Sequence, residues 1–383
     1  RRPPRSTLSS SSAASDVYKR QTLSFITMGI MGIVAGKLTD RYGPKLVLII
    51  CGVILCSSYV LTAFVTAVWQ YYLFFGLMSG IAMSCGSSPI LSVVARWFHK
   101  RRSLMTGIVS SGLAAGNVIF PMAFALIIQA YDWRISYIIL GCVVLPVIVS
   151  AAMFLKRDPE QIGLKPLGID TADIKNDIQN TGLSLKQALR TNQFWLLAVV
   201  NFCDFLLVNL VTAHIVIHVT DLGFTPAISA SVLSIAAGVS VPARIAAGAF
   251  ADRIGNRKTL IMLLILPVFG FTLLLVASEL WMFYLFAILY GVGLWASGVV
   301  TSPLVAKIFG LKSHGTLLAS VMMGGLMGGA VGPVLGGFIF DNTGSYQFAF
   351  LMCLIIVLIS LTSIICLRPL KHSEINSIRN TFK

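Results

Sequence analysis

Eleven long apolar segments run along the chain from about residue 22 to residue 367, and short polar stretches separate them. Each segment is close to the roughly 20 residues that a helix needs to cross the hydrocarbon core of a bilayer. The pattern predicts an all-α membrane protein. Its membrane-spanning helices are predicted at residues 22–41, 44–66, 69–95, 104–129, 134–156, 193–219, 226–251, 258–278, 281–307, 315–340 and 345–367.

The polar stretch that follows the first apolar segment occurs a second time. Residues 36–45 read GKLTDRYGPK, and residues 248–257 read GAFADRIGNR. The two stretches lie 212 positions apart (248 − 36), and the same shift places Trp69 on Trp281. The sequence therefore contains an internal repeat, which predicts two homologous helical halves.

Composition places most of the chain in lipid. It is 56% hydrophobic and 11% charged, with a mean hydropathy of +0.86, whereas a soluble globular protein is about 25% charged. The net charge of +15 does not indicate a nucleic-acid partner, because the bases lie in short loops between apolar segments. Nearly all of them fall on one side, and Arg134 is the only base on the other. By the positive-inside rule, the basic side, which includes the C-terminus, is cytoplasmic.

The cysteines predict neither a disulfide framework nor a metal site. They are seven in number, all within apolar runs and without C-x-x-C spacing, so we interpret them as small packing residues. They are found at positions 51, 56, 85, 142, 203, 353 and 366.

The head of the chain differs from the rest. Residues 1–21 are biased toward Ser, Ala and Arg and have no apolar core, which predicts a disordered, non-native leader. Shifting the apolar run at Gln193 back by 212 gives position −19 (193 − 212), so we expect the first half to lack its first helix. Residues 183–189 predict either a short amphipathic helix on the membrane surface or part of a disordered tether. The predicted organisation is a leader (1–21), an N-terminal half of five helices (22–156), a cytoplasmic linker (157–192), a C-terminal half of six helices (193–368) and a cytoplasmic tail (369–383).

The repeated polar stretch, which we call the hinge, resembles the signature loop of the major facilitator superfamily, G-x-x-x-D-R-x-G-x-[RK]. The resemblance implies the major facilitator fold, with two pseudo-repeated helical halves, and a hinge that latches the halves in an outward-open state. The first Gly lets helices approach and the second turns the chain. The Asp can meet a cation or the N-terminus of a helix; alternatively, it is only a topological charge. The matching residues are Gly36, Asp40, Arg41 and Gly43 in one copy and Gly248, Asp252, Arg253 and Gly255 in the other.

Three further stretches resemble the monocarboxylate and oxalate/formate branch of this superfamily. They are WFHKRR at residues 97–102, HIVIH at residues 214–218 with DLG at residues 221–223, and VPAR at residues 241–244. The resemblance implies an organic-anion substrate. Ser240 stands where human-type members carry an Asp, and residues 317–340 lack the Lys of oxalate-type members. A monoanion is therefore favoured over a dicarboxylate.

Two charged residues lie inside predicted spans away from their ends, Asp204 and Arg244. Each costs at least about 2.5 to 3.5 kcal/mol at the bilayer centre, so such a group by default faces a cavity and has a function. Arg can hold a carboxylate with two parallel hydrogen bonds. Arg244 also matches the eighth-helix Arg that the monocarboxylate branch uses on its substrate. The alternative is a structural ion pair between Arg244 and Asp204.

Other polar residues in the spans are weaker candidates for the site. His214 and His218, one helical turn apart, can pass a proton or hydrogen-bond a substrate, although histidines at a membrane interface are common. Asn117 is a further candidate substrate ligand, with interhelical hydrogen bonding as the alternative.

The sequence thus predicts a secondary transporter that moves a small organic anion, a monocarboxylate, across the plasma membrane by alternating access. We expect it to use a proton or a counter-anion, to lie in the lipid bilayer and to work as a monomer, without metal or cofactor. No Walker A, HExxH or haem-ligand motif indicates an enzyme. The alternatives are a major facilitator transporter of another solute (a drug, a sugar or an amino-acid-like compound) and a non-transporting membrane sensor of the same fold.

Overall fold

The computed structural model describes the backbone of residues 5–168 and 182–368, with side chains from Gln21 onward except at positions 121 and 122. Within these residues, eleven helices are long and apolar enough to cross a membrane. This finding confirms the predicted fold class. In chain order they are α1 (Arg5–Tyr42), α2 (Pro44–Ala63), α3 (Val68–Trp97), α4 (Arg102–Ala130), α5 (Trp133–Phe154), α6 (Asn192–Asp221), α7 (Pro226–Ile254), α8 (Asn256–Leu274), α9 (Leu280–Phe309), α10 (His314–Thr343) and α11 (Gln347–Cys366).

The first helix is longer than the hydropathy pattern predicts. Its membrane-spanning part is Gln21–Tyr42, but helical backbone begins at Arg5. The expected disordered leader is therefore wrong from Arg5 onward. The predicted tail at 369–383 and the middle of the linker, 169–181, lie outside the described residues.

Helix α3 is interrupted, which the hydropathy pattern did not predict. A π-helical turn occupies Tyr72–Met78, and the α-helix stops at Met83 and restarts at Ser88. Pro89 stands in the first turn of the restarted helix, where a missing backbone N–H costs no hydrogen bond. Ser87 lies in this break, and its hydroxyl oxygen is 3.7 Å from the sulfur of Met322 on α10.

Glycines make both hinges possible. Gly43 has φ +87° and Gly255 has φ +96°, a left-handed conformation that other residues rarely adopt. The first glycine of each hinge lies where helices of opposite halves cross. A Cβ at Gly36 would lie 2.5 Å from the carbonyl oxygen of Gly315, and one at Gly248 would collide with the carbonyl oxygen of Ser103.

The described ends of the linker attach to equivalent loops in the two halves. The backbone N–H of Leu167 donates to the Trp97 carbonyl (2.8 Å), and that of Leu183 donates to the Phe309 carbonyl (2.9 Å). A short helix, Leu185–Ala188, follows the second attachment. Leu183 is fully buried in the protein core. Part of the predicted amphipathic segment is thus helical, and its apolar side packs on the protein.

The cysteine prediction is wrong for two of the seven residues. Cys51 of α2 and Cys85 at the break in α3 form a disulfide. Spacing along the chain does not predict this pair, because the contact depends on how α2 packs against α3. The free cysteines are Cys56, Cys142, Cys203, Cys353 and Cys366.

Candidate functional site

A cavity of about 960 Å³ lies between the two halves. Helices α3 and α4 contribute to it from the first half, and α6, α7, α9 and α10 from the second. Its wall is mostly apolar, with polar groups at a few positions, as is typical of a small-molecule site. Apolar lining residues include Leu113, Val118, Phe205, Val208, Leu233 and Leu294.

Arg244 lines this cavity at the level where the halves meet on the hinge side. Its Nη1 donates to the carbonyl oxygen of Ser110 on α4, 3.2 Å away. Its Nε is buried without a hydrogen-bond partner. A Cβ at Gly107 would collide with the Arg244 backbone carbonyl, so α4 and α7 are in contact here. Further along the two helices, Cβ atoms built at Gly112 and Gly238 would meet nothing within 4 Å.

Asp204 lines the same cavity and is only 7% exposed. Its Oδ2 accepts a hydrogen bond from Ser297 Oγ of α9 and its Oδ1 accepts one from Ser360 Oγ of α11, both at 2.9 Å. Among the described residues, no cation lies within 4.0 Å of its carboxylate. The structural ion pair between Asp204 and Arg244, which the sequence left open, is not formed in this structure.

Asn117 also lines the cavity, from α4 and therefore from the half opposite Arg244 and Asp204. Asn209 lines it as well, but its Nδ2 donates to the Phe205 carbonyl within its own helix (2.9 Å). Trp295 adds a buried indole N–H to the wall. Sequence reasoning missed Trp295, because a tryptophan in an apolar run carries no distinctive signal.

His214 is placed away from the cavity wall. It is 3% exposed and packs between α6 and α10, where its Nε2 is 2.9 Å from the Pro333 carbonyl oxygen. A Cβ at Gly336 would lie 2.6 Å from its ring, so the glycine makes room for the imidazole. The ring of His218 packs against Phe350, with 4.9 Å between centroids. The structure therefore does not bring the histidines together with Arg244, Asp204 and Asn117.

The hinge aspartates meet helix N-termini across the boundary between halves. Asp40 accepts hydrogen bonds from the backbone N–H groups of Gly315 (3.1 Å) and Thr316 (2.9 Å) at the start of α10. Asp252 accepts them from Ser103 (3.0 Å) and Leu104 (2.8 Å) at the start of α4. A carboxylate at a helix N-terminus is stabilised by the helix dipole and by unpaired N–H groups.

The hinge arginines take no part in these contacts. Arg41 is exposed and lies over the ring of Tyr42, 5.2 Å from its centroid, and Arg253 is also exposed. The cation beside the Asp40 hinge is Arg96, which is 8% exposed. Its Nη2 donates to the Leu311 carbonyl (2.8 Å) and lies 3.5 Å from Asp40 Oδ1.

Arg96 also forms an ion pair with Asp158 of the linker, at 3.2 Å. The sequence analysis counted Arg96 only as one of the basic loop residues. The signal that could have found it is a break in the repeat, because the equivalent position (96 + 212) is Ile308.

Two repeated helical halves around a central cavity are the architecture of many membrane transporters. The sequence profile described as Major Facilitator Superfamily matches residues 20–270 and 197–383. The chain belongs to the Major Facilitator Superfamily. Members of this family are transporters and are generally not enzymes.

Similar proteins agree with this assignment. Monocarboxylate transporter 13 of Rattus norvegicus is 27% identical over 326 residues, covering 83% of this chain and 72% of that protein. Monocarboxylate transporter 11 of Homo sapiens is 27% identical over 336 residues, covering 83% of this chain and 68% of that protein. These relatives support the monocarboxylate branch. The solved structure of the proton:xylose symporter XylE bound to 6-bromo-6-deoxy-D-glucose shares the fold, with a TM-score of 0.76, 14% identity, and coverage of 98% of this chain and 90% of that chain.

Proposed function

We propose that this transporter moves a small organic anion, a monocarboxylate, across the plasma membrane, and that Arg244 binds the carboxylate. The observation that carries the proposal is the position of Arg244 as the one cation among the described residues that line the cavity. Its Nε is buried and unpaired, so the guanidinium keeps a donor for an incoming anion.

The cavity wall fits a substrate that has one charged end and an apolar body. A guanidinium presents donors in a fixed planar fork that matches a carboxylate. The apolar side chains of Leu113, Phe205 and Leu233 offer surface for the remainder of the substrate. A second carboxylate would find no second cation in the described wall, which favours a monoanion. The names of the two monocarboxylate transporters similar to this chain point the same way.

Alternating access follows from the contacts between the halves. On the hinge side, the aspartate contacts and the close crossing of α4 with α7 hold the halves together. Loop charges predict that this side is cytoplasmic. Transport to that side would require both aspartates to release their helix N-termini, while the opposite ends of the halves approach.

Uptake into proteoliposomes tests the substrate and the role of Arg244. A panel of radiolabelled monocarboxylates, a dicarboxylate, a hexose and an amino acid should show saturable uptake of monocarboxylates alone. Arg244→Lys keeps the charge but loses the two-pronged geometry. A charge-assisted hydrogen bond of about 1.5 to 3 kcal/mol is at stake, so apparent affinity should fall about 10- to 150-fold at normal expression.

The matched control is Arg134→Lys, because Arg134 is an exposed arginine outside the cavity, and its affinity should equal that of the wild type. Unchanged affinity in Arg244→Lys would contradict the role of Arg244. Saturable binding without uptake would favour the membrane sensor, and uptake of the hexose or the amino acid alone would favour a transporter of another solute.

A further inference from the structure

We infer that the backbone carbonyl of Ser110 positions the guanidinium of Arg244 for the anion, and that Gly107 makes this contact possible. Ser110 and Gly107 lie on α4 of the first half, whereas Arg244 lies on α7 of the second. This inference rests on the proposed function, because the anion is the one that Arg244 binds there. It adds that binding of the anion and closure of the hinge side stabilise each other.

The contact with Ser110 uses one nitrogen of the guanidinium and leaves the other two for a ligand. Nη1 of Arg244 donates to the Ser110 carbonyl oxygen at 3.2 Å. Nε has no hydrogen-bond partner, and Nη2 makes no hydrogen bond to a described residue. In a guanidinium the N–H of Nε and one N–H of Nη2 are parallel, and this pair matches the two oxygens of a carboxylate. The Ser110 contact therefore leaves free the edge that suits the anion.

Restraint of the guanidinium strengthens binding. An arginine side chain loses rotamer freedom when it binds a carboxylate, and this loss weakens the complex. Arg244 is already held at Nη1, so part of the loss has occurred before the anion arrives. A hydrogen bond of this kind changes affinity by about three- to tenfold.

The contact depends on how closely the two halves approach. A Cβ at Gly107 would collide with the backbone carbonyl of Arg244, whereas Cβ atoms at Gly112 and Gly238 would meet nothing within 4 Å. Arg244 thus lies where α4 and α7 diverge and the cavity begins. When the halves separate on the hinge side, α4 moves away from α7, and the Ser110 carbonyl no longer reaches the guanidinium.

Anion binding and hinge closure are therefore linked. The restrained guanidinium binds the anion more tightly in the hinge-closed state than in the hinge-open state. By thermodynamic reciprocity, the anion then favours the hinge-closed state by the same factor. The anion binds tightly while the cavity is open on the side opposite the hinge. It binds more weakly when the cavity opens on the hinge side, which helps it to leave there.

A reporter outside the cavity measures this linkage. Ala95 is fully buried on the hinge side, in a cluster with Ala306 and Leu311 of the other half. In the reporter protein, Ala95→Cys is introduced and the exposed Cys142 and Cys366 are replaced by Ser. The introduced thiol becomes reactive when the halves separate. Its reaction with a water-soluble thiol reagent is followed by mass spectrometry on purified protein in lipid nanodiscs.

The probe is the radiolabelled monocarboxylate that gives the highest uptake in the panel described above. At saturation it should slow labelling of the reporter protein by about three- to tenfold. Gly36→Ala opens the hinge side at the crossing of α1 with α10, away from Arg244. It should lower the affinity for the probe by up to about tenfold. Faster labelling in Gly36→Ala with an unchanged affinity would contradict the linkage.

Gly107→Ala tests the positioning itself. The added Cβ would push α4 away from Arg244, so affinity should fall by about three- to tenfold, and the probe should no longer slow labelling. Gly112→Ala is the matched control on the same helix, because its Cβ would meet nothing within 4 Å. A purely structural role of Gly107 would change labelling in the absence of the probe and keep the slowing by the probe. Slowing equal to that of the reporter protein would overturn the inference. If Gly107→Ala fails to fold, the affinity of Gly36→Ala decides.

A separate readout keeps the two proposals distinguishable. If the wild type neither binds nor takes up a monocarboxylate, the proposed function fails. Modification of Arg244 by phenylglyoxal, which condenses with both terminal nitrogens of a guanidinium, then tests the Ser110 contact. Because the contact occupies Nη1, Gly107→Ala should react about three- to tenfold faster than the wild type and Gly112→Ala. Equal rates in the three proteins would show that Ser110 does not hold the guanidinium.

Discussion

The two hinges have the same sequence pattern and the same position in their halves, yet they are held differently. Asp40 and Asp252 lie 212 positions apart, and so do the residues whose N–H groups they bind, Ser103 with Gly315 and Leu104 with Thr316. The repeated element is therefore a carboxylate on a helix N-terminus, made from backbone donors. It is independent of which side chains occupy those N-termini.

Side chains add different contacts at the two hinges, and only Asp40 has a hydroxyl and a guanidinium beside its carboxylate among the described contacts. Asp40 also accepts a hydrogen bond from the Thr316 hydroxyl (2.8 Å) and lies 3.5 Å from the Arg96 guanidinium. At the equivalent of Thr316 the other hinge has Leu104, which offers no hydroxyl. The Ser103 hydroxyl donates instead to Asn256 (2.9 Å). We infer that the Asp40 hinge holds the halves together more strongly.

Substitution of the glycines at which the halves cross, Gly36 and Gly248, should have the largest effect on the contact between the halves. The effect should be equal at the two hinges. Gly36→Ala and Gly248→Ala would each press a Cβ against the backbone of the opposite half. Overpacking of this kind costs about 1 to 3 kcal/mol, so the ratio of hinge-open to hinge-closed protein should rise about 5- to 150-fold.

This ratio can be measured with a cysteine introduced at Leu113, which lines the cavity. An impermeant thiol reagent is added from the hinge side, and the rate of labelling is recorded. The exposed Cys142 and Cys366 are first replaced by Ser. Gly112→Ala is the matched control, because its Cβ would meet nothing within 4 Å. A large effect at one hinge alone would show that the two crossings are not equivalent.

Asp40→Asn should come next. It weakens two backbone contacts, the contact with the Thr316 hydroxyl and the pairing with Arg96, at a cost of about 1.5 kcal/mol or more. The same cysteine should then become about tenfold more accessible from the hinge side, while expression stays normal. If labelling is unchanged from both sides, Asp40 does not hold the halves together and contributes only a loop charge that sets the topology.

Asp252→Asn should show the smallest effect, in the same direction. The substitution removes the negative charge from a helix N-terminus, and that charge has no cation within 4.0 Å among the described residues. The interaction of a carboxylate with a helix N-terminus is worth about 0.3 to 1 kcal/mol. Accessibility should rise about two- to fivefold. Asp341→Asn, an exposed acid outside both hinges, is the control for both aspartates. An effect larger than that of Asp40→Asn would invert the comparison between the hinges.

The fold was largely predictable because lipid restricts the choices. Every backbone polar group must be paired within the membrane, so apolar runs of sufficient length become helices. The positive-φ turns at Gly43 and Gly255 follow from the repeated hinge pattern. Hydropathy did not predict the break in α3, because apolar residues continue on both sides of it. The helical backbone from Arg5 to residue 20 also differs from the prediction, which relied on composition alone.

Sequence by itself determined which residues were candidates for the site, and only the tertiary structure decided which of them share a cavity. Position along a helix gives depth in the membrane, so Arg244 and Asp204 were identified as unusual charges. The direction in which a side chain points relative to neighbouring helices depends on their packing. His214 therefore faces α10, whereas Asn117 faces the cavity. The serine partners of Asp204 lie 93 and 156 residues away in sequence, a distance over which no local pattern carries information.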